Sequence, residues 1–345
     1  MSAKPSTKPS ARGFDRELGE LEALGLSYKA NAALDADQVE YLRKSLAHRN
    51  NFLVAKAAKL VVEADLAALL PEVLVAYDRF FLDAAKSDPQ CWAKNALVKA
   101  LVKLEHRQRD AYLRGVRHHQ MEPVWGGPTD TAGALRGACT HALVNCPGLS
   151  DAELLTVLLE PLVDADKTVR MEAARAIAQV GGVAGALLLR LRILLGLKDP
   201  KQEEPEVLGV CLSGLLALEG AEAIALAATA MKEGDDLASE AAFALADLRT
   251  VEALTALRQR YRAGVDAWFG SVLLGAMALT RLPEAIDFLI EMIESEARDA
   301  ALAVEALGRS APTAELRARV EQAARYTGSP KLAAALREHF GPQAE

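Results

Sequence analysis

Six histidines and four cysteines are the side chains of this sequence best suited to hold a metal or to act as nucleophiles. His48, His106, His118, His119, His141 and His339 include no HExxH pair, and Cys91, Cys139, Cys146 and Cys211 include no CxxC pair. The spacings that bring two ligands to one zinc ion are therefore missing. His118 and His119 are adjacent, and neighbours on a helix face different sides, which is wrong for joint ligation. No GxSxG elbow, Walker-type loop or GxGxxG turn occurs, so neither a seryl nucleophile nor a phosphate cradle is indicated. Gly126 and Gly127 lack the downstream Lys and Ser/Thr that a cradle needs. The carboxylate pairs Asp235/Asp236 and Glu203/Glu204 are adjacent and read as helix caps or solvated turns. The expectation is a non-enzyme with no catalytic residue, no metal and no cofactor.

Charge carries more information than chemistry. Residues 1–40 hold five basic and seven acidic groups, residues 41–136 hold 15 and 10, and residues 137–345 hold 20 and 30. The basic excess is densest over residues 94–119, through Lys94, Lys99, Lys103, Arg107, Arg109, Arg114 and Arg117, with His106, His118 and His119 among them. Such a stretch serves either as the solvated face of a helix or as a surface for phosphates or an acidic partner. A net charge of −7 argues against a general polyanion binder.

These residues need elements to position them, and the composition specifies helices. The chain has 345 residues, 51% hydrophobic and only 5% aromatic; abundant Ala and Leu favour helix, whereas strands want bulkier side chains. Three of the cysteines fall on apolar helical positions and read as buried free thiols in a reducing cytoplasm. The first thirteen residues lack an apolar core, so they are no signal peptide and read as a disordered tail. The most apolar run, residues 183–197, contains Arg190 and Arg192 and falls short of the ~20 residues a membrane span needs. It reads as a heavily buried helix, and no membrane association is expected.

One pattern recurs. In residues 164–181, Asp164 and Asp166 offer oxygens to a helix start, and Val169, Ala173, Ala174, Ile177 and Val180 form one apolar stripe. Gly181 and Gly182 end the helix, and Arg170 stands where it can bridge to a carboxylate. The stripe returns at Leu53/Ala57/Ala58/Val61, Trp92/Ala96/Leu97/Ala100, Leu135/Cys139/Leu143, Val207/Cys211/Leu212/Leu215 and Leu237/Ala241/Ala242/Leu245. Weaker returns follow at Trp268/Val272/Leu273/Ala276 and near Ala297, with Ala300, Ala301 and Val304. Each interval has room for one further amphipathic helix.

Residues 164–181 resemble the second helix of a HEAT repeat, and the resemblance extends over roughly residues 40–310. Arg170 and Arg136 occupy the family's arginine position; Val54, Ala93, Leu208 and Ala238 replace it elsewhere. The shorter C-terminal intervals are similar to the short HEAT-like repeats of bilin lyases. The resemblance implies an all-α, right-handed α-solenoid of about eight helix pairs. Residues 1–13 would be a tail, 14–40 an N-terminal helical cap, 41–310 the solenoid and 311–345 a C-terminal cap. Terminal pairs need such caps because they have no neighbour on one side.

In HEAT solenoids the second helices line the concave groove, which implies inward-facing positions equivalent to Arg175: Lys59, Val98, His141, Ser213, Phe243, Leu274 and Leu302. The first of these are polar or basic and the last apolar. Residues 122–131 interrupt the helices with two prolines and two glycines. They read either as an inter-repeat loop with Trp125 tucked over the core or as a binding loop. The resulting expectation is a cytoplasmic protein-interaction scaffold that meets its partner through Lys59, His141, Arg175, Phe243 and Trp125. Two alternatives stand beside it. One is a nucleic-acid binder similar to alkylpurine DNA glycosylases, with Trp92, Trp125, Arg136 and Arg175 as a loose counterpart of their basic face; the other is a subunit resembling bilin lyases.

Overall fold

The computed structural model describes residues 11–31, 33–199, 201 and 203–341. The chain forms two compact units, 1–176 and 177–345. Among the described residues it is helical apart from one two-stranded hairpin.

The first unit contains α1 (Ala11–Asn31), α2 (Ala36–Leu46), α3 (Asn51–Glu63), α4 (Leu70–Arg79), α5 (Ala84–Ser87), α6 (Trp92–Lys103) and α7 (Arg109–Val116). The hairpin β1 (Met121–Val124) and β2 (Gly127–Asp130) follows, then α8 (Gly133–Leu143) and α9 (Asp151–Leu162). Helix α10 (Lys167–Val180) runs across the division between the units. In this unit α3 packs on α6 and α6 on α8, while α2, α4 and α7 lie against these in turn.

The second unit contains α11 (Gly182–Lys198), α12 (Pro205–Glu219), α13 (Ala221–Ala230), α14 (Asp236–Leu248), α15 (Val251–Arg262) and α16 (Ala267–Thr280). It ends with α17 (Pro283–Glu294), α18 (Ala300–Arg309), α19 (Ala314–Thr327) and α20 (Pro330–Phe340). Here α12, α14, α16, α18 and α20 pack in succession, α13 lies on α15, and α17 lies on α19.

Local chemistry explains where the helices begin. Asp35 and Ser150 form reciprocal capping boxes with Gln38 and Glu153, and Asp235, Thr250, Asp266 and Thr313 each accept a hydrogen bond from a first-turn amide. Asp166 likewise accepts from the Thr168 amide at 2.7 Å. Small residues set the closest approaches. A Cβ on Gly115 of α7 would come within 2.7 Å of the Tyr77 hydroxyl and closer still to the Cys139 sulfur of α8.

The stripe residues expected to be buried in α3, α12 and α14 are buried, as are Val169, Ala173, Ala174 and Ile177 of α10, whereas Val180 is only half-buried. In α6 and α16 the register differs by one residue. Trp92 and Trp268 are about half exposed, and Ala96 and Val272 are half-buried. Leu97, Ala100, Leu273 and Ala276 are buried as expected, joined by Ala93, Val98 and Leu101 in one helix and Phe269, Leu274 and Met277 in the other. Val98 and Leu274 are therefore core residues, and Lys99 and Gly275 take the positions expected of them. The two indoles, which the spacing placed at the head of the buried stripe, instead sit at its rim.

Three further expectations change. Residues 122–131 form an antiparallel hairpin rather than an irregular loop. The run 183–197 is not heavily buried, because half of its apolar side chains face solvent. The tail expected over residues 1–13 falls mostly outside the described residues, and α1 begins at Ala11.

Candidate functional site

Of the sequence-derived candidates, those on α3 and α6 converge. Helix α3 starts at Asn50, whose side chain caps the amides of Phe52 and Leu53. This start directs Leu53, Val54, Ala57 and Val61 into the core and leaves Phe52, Lys56 and Lys59 on the other face. Helix α6 repeats the arrangement with Ala93, Leu97 and Leu101 inward and Trp92, Asn95 and Lys99 outward.

The two outward faces enclose a shallow groove of about 450 Å3, lined by Phe52, Lys56, Lys59, Trp92, Asn95 and Lys99 among others. Phe52 and Trp92 form its floor with ring centroids 5.4 Å apart, and Phe14 of α1 adds a third ring 6.2 Å from Phe52. The Lys56 ammonium lies 5.6 Å from the Phe52 ring centroid and 3.6 Å from Glu22. Lys59 is loosely paired with Glu63 at 3.8 Å. Among the described residues Lys99 has no acidic partner. An aromatic floor under three ammonium groups can hold an apolar side chain and attract carboxylates beside it.

His141 and Arg175 also meet, through Glu172. The His141 Nδ1 lies 3.2 Å from the Glu172 carboxylate, and Arg175 donates to the same carboxylate at 2.5 Å. The cluster is nearly self-compensated, so it offers little net charge to a ligand. Phe243 is in the second unit, where it borders a cavity of about 270 Å3 with Gly275, Leu279 and Leu302.

The basic stretch 94–119 does not act as one surface. Lys94 is completely buried, with its ammonium 3.0 Å from the buried Asp88 carboxylate and donating to the Phe80 carbonyl at 3.2 Å. His106 is also buried. Arg114 pairs with Asp78 at 2.7 Å, and Arg107 and Arg109 sit 3.8 Å from Glu105 and Asp110. Lys99, Lys103 and Arg117 remain exposed. His118 and His119 follow the end of α7 instead of lying on a helix, and they bond to Gln120 and Asp130 respectively. Burial lowers the His118 pKa, with the Gln120 hydrogen bond acting against it.

Trp125 is not tucked over the core. It stands fully exposed at the tip of the hairpin, where Gly126 and Gly127 take φ of 107° and 126° to close the turn. The hairpin base, in contrast, is fixed by a buried polar network that sequence inspection does not disclose. Glu122 accepts from the Gln90 amide at 2.7 Å and from Gln120 and Thr131 at 2.6 Å. Asp130 accepts from the amides of Gln120 and Ala132 at 3.0 Å and from Arg136 at 2.6 Å. Burial alone would raise the Asp130 pKa, but these bonds outweigh it and hold the carboxyl at about 2. Arg136 is buried as well and donates to both oxygens of Asp164, at 2.7 and 2.9 Å. Arg136 therefore has a structural role and is not offered to a ligand. Arg170 donates to the carbonyls of Asp164 and Ala165 at 2.6 and 3.0 Å.

All four cysteines are free and buried. Burial pushes Cys91 up to about 11 and Cys139 and Cys211 up to about 12, far from the thiolate a nucleophile needs. Among the described residues no group of three His, Cys, Asp or Glu side chains is placed to hold a metal ion, and no helix is long and apolar enough to cross a membrane. No protein-family model matches the chain, and no curated protein matches it significantly.

Proposed function

We propose that this protein is a non-catalytic interaction scaffold, each unit being a stretch of right-handed HEAT-like solenoid, and that its first unit binds a segment of a partner protein on the outward face of α3 and α6. The observation that carries this reading is the Phe52–Trp92 floor ringed by Lys56, Lys59 and Lys99. The ring pair suits a bulky apolar anchor, as central aromatic contacts do in protein interfaces. The ammonium groups suit acidic residues flanking that anchor, which would guide encounter and fix register.

Selection from a displayed library of random peptides tests the reading, with binding read from the fluorescence of Trp92 in a background carrying Trp125→Phe and Trp268→Phe. Peptides with an aromatic or aliphatic anchor among Asp and Glu are expected to enrich on the wild-type protein and to be lost with Lys59→Glu combined with Lys99→Glu. Enrichment that survives this double substitution would place binding elsewhere. The exposed Lys99, Lys103 and Arg117 favour a second reading, nucleic-acid binding. It requires an affinity for single-stranded oligonucleotides that falls steeply with salt, since phosphate contacts release counterions. The same salt series run on the selected peptides and on oligonucleotides separates the two.

A further inference from the structure

The first helix of the second unit is apolar on two opposite sides. Gly185, Ala186, Leu189, Ile193 and Gly196 of α11 are buried. On the other side Val183, Leu187, Leu191, Leu194 and Leu195 are 79, 59, 55, 49 and 54% exposed. Their three- and four-residue spacing aligns them in one stripe along the full helix. Single exposed leucines are ordinary, but a contiguous stripe of five marks a contact surface. Charge is almost absent from it. Lys198 is exposed in the last turn, and Arg190 at the edge is neutralised by Glu219.

We infer that this stripe joins two copies of the chain, α11 lying antiparallel on α11 about a twofold axis. Area is the first argument. The five side chains expose about 500 Å2 per chain, so an isologous pair would cover about 1,000 Å2, the lower bound for a biological interface and the size of a reversible dimer rather than a permanent one. Shape is the second. The exposed positions at the N-terminal end are small, Gly182 and Ala184 beside Val183, whereas the C-terminal end carries Leu191, Leu194 and Leu195. An antiparallel copy sets the narrow end of each helix against the bulky end of the other, as a self-complementary twofold contact requires. Charge is the third. A stripe lacking carboxylates and carrying one lysine has nothing to select a charged partner, and its flanking Arg190 and Arg192 are already paired with Glu219 and Glu203 instead of being presented to an anionic membrane.

Sedimentation equilibrium of the full chain, from low to high micromolar concentration, tests the inference. The apparent mass is expected to rise to twice the monomer value. The exposed double substitution Leu187→Glu with Leu191→Glu should hold it at the monomer mass with an unchanged helical circular dichroism signal. A wild-type chain that stays monomeric throughout, or a double variant that still dimerises, overturns the proposal. Cross-linking tests the orientation without relying on that variant. With the pair centred between residues 187 and 191, Leu187→Cys mixed with Leu191→Cys should form an intermolecular disulfide rapidly, and Val183→Cys alone should not. Equally rapid self-linking of Val183→Cys would rule out the antiparallel arrangement.

Discussion

The ammonium of Lys94 and the carboxylate of Asp88 lie 3.0 Å apart with neither side chain exposed to solvent. Asp88 also accepts from the amides of Ala93 and Lys94, at 2.8 and 3.0 Å, and from Asn51 at 2.9 Å. It thus closes the irregular turn before α6 and sets where that helix begins. Removing one member of a buried pair strands the other charge, at a cost of about 3–5 kcal/mol. Lys94→Met is expected to destabilise the protein by about this much, measured as a lower urea midpoint. Lys99→Met, on the exposed face one turn on, should change it by less than about 0.5 kcal/mol.

Acid should loosen the hairpin first. The Asp130 carboxyl is held at about 2, below the ordinary 3.8. A folded-state pKa below the unfolded one gives stability that is complete above the unfolded value and is lost as pH falls through the folded value. Asp130 therefore contributes about 2 kcal/mol above pH 4, and that contribution disappears between about pH 4 and pH 2. Asp130→Asn should be less stable than wild type at neutral pH, with the difference narrowing across that window in thermal melts.

Gly115→Ala offers a test of the α7–α8 contact. Alanine favours helix by about 1 kcal/mol over glycine, yet the added carbon would collide with Cys139 and with the Tyr77 hydroxyl. Overpacking of this kind costs about 1–3 kcal/mol, and the neighbours here are themselves buried. Net destabilisation in a denaturant melt is expected, with partial recovery when Cys139→Ala is added to make room.

The thiols supply a chemical measurement. With Cys91, Cys139 and Cys211 all raised by burial, a water-soluble thiol reagent at neutral pH should label none of the four cysteines promptly in the native protein. It should label all four once the chain is unfolded in denaturant. Prompt labelling of one thiol in the native state would contradict its placement in the core.

Much of this architecture could be read from residue spacing, because burial imposes a period. Val169, Ala173, Ala174 and Ile177 recur at helical spacing and are all buried. What spacing could not supply was which residue begins the stripe in α6 and α16. Hydrophobicity favoured Trp92 and Trp268, whereas the packing space admits Ala93 and Phe269 and leaves the indoles at the edge. The hairpin was hidden for another reason. Pro123 and Pro128 speak against strand, but they face each other in register in a sheet of two strands, where their missing N–H groups cost no ladder bond. Of the candidate site, the lysines were legible as charges. That Lys99 joins Lys59 over an aromatic floor while Lys94 turns inward to Asp88 depends on a one-residue difference in register, which a count of charges does not contain.

The hairpin of residues 121–130 is secured at its root, where Glu122, Asp130 and Thr131 are tied into the interior, and Trp125 at its tip stands in solvent. Its tip can therefore change in length and composition without disturbing the helices beneath it. Mutational drift should be fastest there, and the position between Trp125 and Gly126 is a natural place to graft an epitope or a reporter peptide.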